Sequence, residues 1–69
     1  MDPTACFRRM TDAYAEAHDY QEAIDAAHDL LAWLDRGGFP PRGMTMIETR
    51  QACQRTIMDS RSKLQLTAR

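Results

Sequence analysis

The chain has 69 residues, of which 43% are hydrophobic, and a formal net charge of −1. A chain of this length forms a single domain, residues 1–69, buries only about 60% of its unfolded surface and usually gains stability from a partner or a second copy of itself. No stretch approaches the roughly 20 apolar residues of a membrane span and the N-terminus lacks a signal-peptide pattern, so we expect a cytoplasmic protein that does not bind membranes.

The near-zero net charge hides a segregation of charge along the sequence. Residues 1–35 carry eight acids and two bases, whereas residues 36–69 carry seven bases and two acids. Either the two halves attract each other, through pairs such as Asp25 or Asp29 with Arg50 or Arg55, or the basic half faces an anion such as nucleic acid. Because the net charges of the two halves, −6 and +5, nearly balance, we favour mutual neutralisation and hence protein partners.

A first helix is predicted over about residues 3–17. Asp2 is a typical N-cap, and Pro3 is tolerated in the first turn because its missing N–H would have no partner there. Apolar residues recur at steps of three and four and therefore share one face of this helix: Cys6, Phe7, Met10, Ala13, Tyr14 and Ala17.

A second helix is predicted over about residues 19–36. Asp19, with Glu22 three residues later, has the form of a capping box, which favours a helix break at His18. Gly37 readily adopts the left-handed conformation that closes a helix, and Phe39 is placed to fold back on the last turn. The apolar face comprises Tyr20, Ala23, Ile24, Ala27, Leu30, Leu31 and Leu34.

A third helix is predicted over about residues 45–66, after a short ordered connector, 37–44. Thr45 and Glu48 form a second capping-box pattern. The apolar face of this helix is thin and flexible, so we expect it to associate with a partner or a second copy through Ile47, Ile57, Met58 and Leu64. That face comprises Met46, Ile47, Cys53, Ile57, Met58 and Leu64.

The fold class is therefore all-α: a helical hairpin of two to three helices whose bundle a second copy or a partner would complete. If His18 and Asp19 are helical instead, residues 3–36 form one helix of about 50 Å that pairs antiparallel with the third helix. Two such coiled-coil hairpins would dimerise as a four-helix bundle, which in outline is similar to the Rop-type RNA-binding proteins.

Residues 4–36 resemble a single tetratricopeptide repeat, and the run His-Asp-Tyr-Gln-Glu-Ala-Ile is the most similar stretch. Thr11 and His18 depart from the repeat, which prefers small residues or glycine at those positions. The resemblance implies a helix–turn–helix scaffold for protein recognition, with the third helix capping the repeat. The residues that carry it are Phe7, Met10, Tyr14, Tyr20, Ala23 and Ala27.

Patterns of catalytic or metal-binding residues are weak in this sequence. His18 and His28 are ten residues apart, whereas ligands of one ion on a helix need steps of three or four. Cys6 and Cys53 match no zinc or redox spacing, which favours two reduced, half-buried thiols. We therefore expect a non-enzymatic protein with no metal, no cofactor and no small-molecule substrate.

Two sets of residues are candidates for binding a partner. Trp33 and Phe39 are expected to fill the core, with an aromatic anchor at a partner surface as the alternative. The leading function is a protein–protein interaction module or accessory subunit, through Trp33, Phe39, Ile47, Ile57, Met58 and Leu64. The alternative is a nucleic-acid-binding hairpin that contacts RNA or DNA phosphates through the basic third helix, at Arg50, Arg55, Arg61 and Lys63.

Overall fold

The computed structural model describes residues 1–67 and contains three α-helices: α1 (Pro3–Ala15), α2 (Tyr20–Asp35) and α3 (Met46–Thr67). The predicted all-α class is confirmed. The second helix packs along its length against both neighbours, whereas α1 and α3 hardly touch each other. Within the described part of the chain, no helix is long and apolar enough to cross a membrane.

The predicted break between the first two helices is confirmed. The first helix is capped by Asp2, as predicted, and ends at Ala15, two residues earlier than expected. His18 has a left-handed backbone with φ of 52°, and the Asp19 carboxylate accepts a hydrogen bond from the Glu22 N–H at 3.1 Å. A single helix over residues 3–36 is therefore excluded, and with it the long-helix hairpin.

The C-terminus of α2 is closed by two consecutive glycines. Gly37 has φ of 86°; its N–H donates to the Leu34 carbonyl at 3.0 Å and the Gly38 N–H donates to the Trp33 carbonyl at 2.9 Å. This pair of bonds is a Schellman motif, which satisfies two carbonyls that the helix itself leaves unpaired. The chain then turns back so that Phe39 packs edge-on against Trp33, with ring centroids 5.7 Å apart, as predicted.

The core lies on both sides of α2. Ala23, Ala26 and Ala27 are fully buried, and their small side chains let α1 and α3 approach α2 closely. The core cluster comprises Cys6, Met10, Ala26, Ala27, Leu30, Cys53 and Ile57. Ala17, which was predicted on the apolar face of α1, lies beyond the helix end and is exposed.

The N-terminus of α3 forms a complete capping box. The Thr45 N–H donates to the Glu48 carboxylate at 2.9 Å, and the Glu48 N–H donates to the Thr45 hydroxyl at 3.1 Å. The pKa of Glu48 lies below its usual range, chiefly because the backbone N–H of Thr45 donates to the carboxylate. The start of α3 predicted from this pattern is therefore correct.

The buried face of α3 differs from the prediction. Thr49, Cys53, Ile57 and Ser60 point inward, at steps of three and four, and the two polar members are fully buried. Three residues of the predicted apolar face are exposed instead: Met46, Ile47 and Met58. At about 100° per residue, positions 47 and 58 lie well over 90° from the centre of the inward face, so turning them inward would expose Cys53 and Ile57.

Candidate protein-binding groove

An open groove runs between α1 and α3. The two helices point in the same direction, since the Thr4 hydroxyl near the start of α1 accepts a hydrogen bond from the Arg42 N–H just before α3, at 2.9 Å. The groove has a volume of about 360 Å³. It is lined from α1 by Phe7, Met10, Thr11 and Tyr14, and from α3 by Ala52, Arg55, Thr56 and Asp59.

Helix spacing explains why this groove is apolar and open. Phe7 and Tyr14 are seven residues apart and therefore lie on the same side of α1, two turns from each other. Both are half-buried, and the Tyr14 ring packs edge-on against Tyr20 at 5.7 Å between centroids. The opposite wall carries the small side chains of Ala52 and Thr56, which do not reach across. Among the described side chains, therefore, none fills the groove.

Two opposite charges lie along the α3 wall. Arg55 and Asp59 are four residues apart, one turn of helix, and both are exposed. Within residues 1–67, neither one lies within salt-bridge distance of an oppositely charged group. The groove thus combines an apolar interior with an unpaired cation and an unpaired anion at its edge.

Arg9 forms the ion pairs that join α1 to α2. Its guanidinium donates to Glu22 at 2.7 Å and to Asp29 at 3.0 Å, joining α1 to α2. The hydrogen bond from Arg9 lowers the pKa of Glu22, and the same bonds raise the pKa of Arg9. The Asp19 N–H donates to the Ala13 carbonyl at 2.8 Å instead of to Glu22, so the first capping box is only half formed.

The charge pairs predicted from the segregated sequence are wrong in detail. Asp29 pairs with Arg9 of the acidic half, and Arg50 pairs with Asp35 at 2.7 Å. Asp25 accepts a hydrogen bond from Gln21. The α2–α3 seam therefore carries the Asp35–Arg50 ion pair at the connector end.

The predicted aromatic pair forms a corner beside the connector. The Trp33 indole N–H donates to the Phe39 carbonyl at 2.9 Å, and the indole ring packs partly against the core. Phe39 keeps 65% of its surface exposed. Trp33 therefore has the expected structural role. The expectation that Phe39 fills the core is wrong, because its ring packs on the outer edge of Trp33 and remains accessible to a partner.

The remaining residues of the predicted partner surface separate in the structure. Ile57 is only 8% exposed and belongs to the core, so its assignment to a partner surface is wrong: the inward turn of α3 places it against α2. Leu64 is half-buried and lines a second groove, between α2 and α3. Ile47 and Met58 are exposed, three turns apart on the face of α3 that points away from the core.

The four bases predicted to bind nucleic acid do not share a surface. Arg50 is paired with Asp35, and Arg55 lies in the groove between α1 and α3. Arg61 lies on the opposite side of α3, in the groove against α2, and Lys63 places its ammonium 5.9 Å from the Tyr20 ring centroid. A phosphate backbone could not contact all four at once.

The histidines and cysteines have structural surroundings. Within residues 1–67 there is no group of three His, Cys, Asp or Glu side chains that could hold a metal ion, and the His18 ring stacks on Tyr20. Burial raises the pKa of the Cys53 thiol to about 11, and burial likewise raises the pKa of Cys6. Neither thiol is therefore an activated nucleophile.

Comparison of the chain with protein-family models, with curated protein sequences and with solved structures gives no match.

Sequence reasoning did not identify the residues that line the groove. Phe7 and Tyr14 are expected from the sequence to fill the core, and no sequence pattern marks Ala52 or Thr56 as binding residues. The sequence pattern that could have indicated the groove is the seven-residue spacing of these two large aromatic residues at the margin of the apolar face of α1.

Proposed function

We propose that the chain is a non-enzymatic protein-interaction module that binds an amphipathic helix in the groove between α1 and α3. The observation that carries the proposal is the groove itself: it is apolar, about 360 Å³ in volume, and left empty by the side chains of the residues that the structure describes. Helices that lay an apolar face into such a groove are a recurrent mode of protein recognition.

The dimensions and chemistry of the groove suit a helix. Its two walls are themselves helices, and both pack against α2. A further helix placed between them would complete a layer of packed helices. Phe7 and Tyr14 offer aromatic surface, which contributes strongly at protein interfaces, while Arg55 and Asp59 offer charged groups at the edge. The resemblance to a tetratricopeptide repeat belongs to the same proposal, since it also implies protein recognition by a helical scaffold.

The alternative function, nucleic-acid binding, is less well supported. Binding to phosphates needs several bases on one face, whereas Arg55 and Arg61 lie on opposite sides of α3 and Arg50 is occupied by Asp35. If RNA were nevertheless the partner, its affinity for the chain would fall steeply with salt concentration.

The proposal is tested by selecting displayed amphipathic helical peptides on the immobilised chain and measuring their affinity by fluorescence anisotropy. The variant Ala52→Phe places a large side chain in the groove and should weaken binding at least about tenfold, or about 1.4 kcal/mol. Gln54→Phe is the matched control, because it adds the same ring to an exposed position two residues away. We expect its affinity to equal that of the wild type.

Two results would contradict the proposal. One is the absence of any peptide enriched above background; the other is equal loss of affinity in Ala52→Phe and Gln54→Phe, with both variants folded by circular dichroism. A generic single-stranded RNA assayed in parallel, at two salt concentrations, would reveal the alternative function directly.

A further inference from the structure

We infer that the occupant of the groove is a second copy of this chain, bound antiparallel so that Arg55 of each copy faces Asp59 of the other. This inference rests on the proposed function, which names the groove as the binding surface. It adds the identity of the partner and the geometry of the complex.

The first argument is charge complementarity. A two-fold axis perpendicular to α3, passing beside this helix at the level of residue 57, brings the two α3 helices together antiparallel and sets position 55 level with position 59 of the other copy. The dimer would thus contain two reciprocal Arg–Asp pairs, as an isologous interface requires. In the single chain these two residues are the groove's charged groups and, within residues 1–67, have no ion-pair partner.

The same axis also brings small side chains level with each other across the contact, on either side of residue 57. Ala52 of one copy lies level with Ser62 of the other, because positions 52 and 62 are equally far from residue 57, as positions 55 and 59 are. Helices with small residues at the contact approach more closely than helices with large ones. The apolar interior of each groove, with Phe7 and Tyr14, would then be covered from outside by the second copy.

The remaining properties of the chain agree with reversible self-association of folded units. The accessible surface of the chain is 4628 Å², close to the roughly 4,400 Å² expected of a compact monomer of this mass, so the single chain has the shape of a compact unit. The formal net charge is −1, so two copies approach with little long-range repulsion. We expect a dissociation constant in the range of about 1–100 μM, as for small interfaces between stable monomers.

The test is a reciprocal charge reversal, read by sedimentation equilibrium and native mass spectrometry from about 1 μM to about 1 mM. The variants Arg55→Asp and Asp59→Arg each place like charges across the proposed interface, and each alone should dimerise at least about tenfold more weakly than the wild type. Mixed one to one, they restore opposite charges at both contacts, so they should form a heterodimer with wild-type affinity.

A matched control reverses charges outside the groove. Arg61→Asp and Asp25→Arg, in the second groove between α2 and α3, should leave the wild-type dimer unchanged and form no preferred heterodimer. If a reversal variant fails to fold, the neutral pair Arg55→Gln and Asp59→Asn replaces it. Each should weaken the dimer, and their mixture should show partial rescue, because the heterodimer keeps one intact pair between Arg55 and Asp59.

Two outcomes overturn the inference. A wild-type chain that stays monomeric over the whole concentration range has no self-association to explain; if selected peptides still bind the groove, the proposed function survives. A wild-type dimer that both reversals leave intact, or whose reversal variants show no preference for each other, uses another face. Loss of both dimerisation and peptide binding would remove the proposed function as well.

Discussion

Gly38 tests the packing of the aromatic corner more directly than any other position. A Cβ atom on Gly38 would lie 2.3–2.5 Å from three atoms of the Trp33 indole, which is far inside van der Waals contact. In the variant Gly38→Ala the indole must therefore move away. It would give up the hydrogen bond from its N–H to the Phe39 carbonyl and the edge-on contact with the Phe39 ring.

The cost follows from those two contacts. A neutral hydrogen bond contributes about 0.5–1.5 kcal/mol, and an aromatic pair contributes about as much again. We therefore expect Gly38→Ala to lower the free energy of unfolding by about 1–3 kcal/mol, a decrease in melting temperature of about 4 °C or more in a chain of this length. Urea unfolding followed by tryptophan fluorescence measures this change in the free energy of unfolding. The signal comes from Trp33 alone, because it is the one tryptophan in the sequence.

Gly43→Ala is the control for this prediction. Gly43 has φ of 81° and nothing within 4 Å of its Cβ position, so its replacement should cost only the strain of a left-handed backbone, about 1 kcal/mol. Gly38 has no such strain. If Gly38→Ala is no less stable than Gly43→Ala, and its native fluorescence is unchanged, the packing of Trp33 described above is incorrect.

Three further predictions concern the turn and the titrating groups. His18→Gly should raise the free energy of unfolding by about 0.5–1 kcal/mol in urea titrations, because glycine adopts a left-handed backbone without strain; a destabilised variant would show that the stacking of His18 on Tyr20 matters more. The pKa of Cys53 is raised to about 11, so between pH 9 and 11 the unfolded chain ionises first and the wild type should lose up to about 1.4 kcal/mol per pH unit. Cys53→Ala should flatten that slope, and an equally steep slope would contradict the assignment. Glu48, whose pKa is lowered, stabilises the fold above its usual pKa and loses this effect as pH falls, so Glu48→Gln should make the urea midpoint less sensitive to acid between pH 5 and 3 than it is in the wild type.

Local signals account for most of what could be predicted. Asp2 and Asp19 fix the starts of α1 and α2, and the glycines after Arg36 fix the end of α2, because each forms hydrogen bonds only to residues a few positions away. The helix break at His18 is predicted for the same reason. These features need no knowledge of the rest of the chain.

The inward face of α3 could not be predicted from hydrophobicity. Ile47 and Met58 are more apolar than Thr49 and Ser60, yet the latter are buried, because the orientation of α3 follows from its fit against the alanines of α2. The groove is also beyond sequence reasoning. Its walls come from helices about 45 residues apart, and their separation depends on how both pack on a third helix.

The polar character of the α2–α3 seam has a consequence for local unfolding. The Ser60 hydroxyl is buried without a hydrogen-bond partner among the described residues, and its exposure to water when α3 detaches would recover that lost hydration. The opening that lets amide protons of α3 exchange with solvent should therefore cost less free energy than the opening of α2. The side chains that α1 buries against α2 are apolar. Since α3 also forms one wall of the groove, any occupant must hold it in place, and occupancy of the groove should be readable as slower exchange along α3.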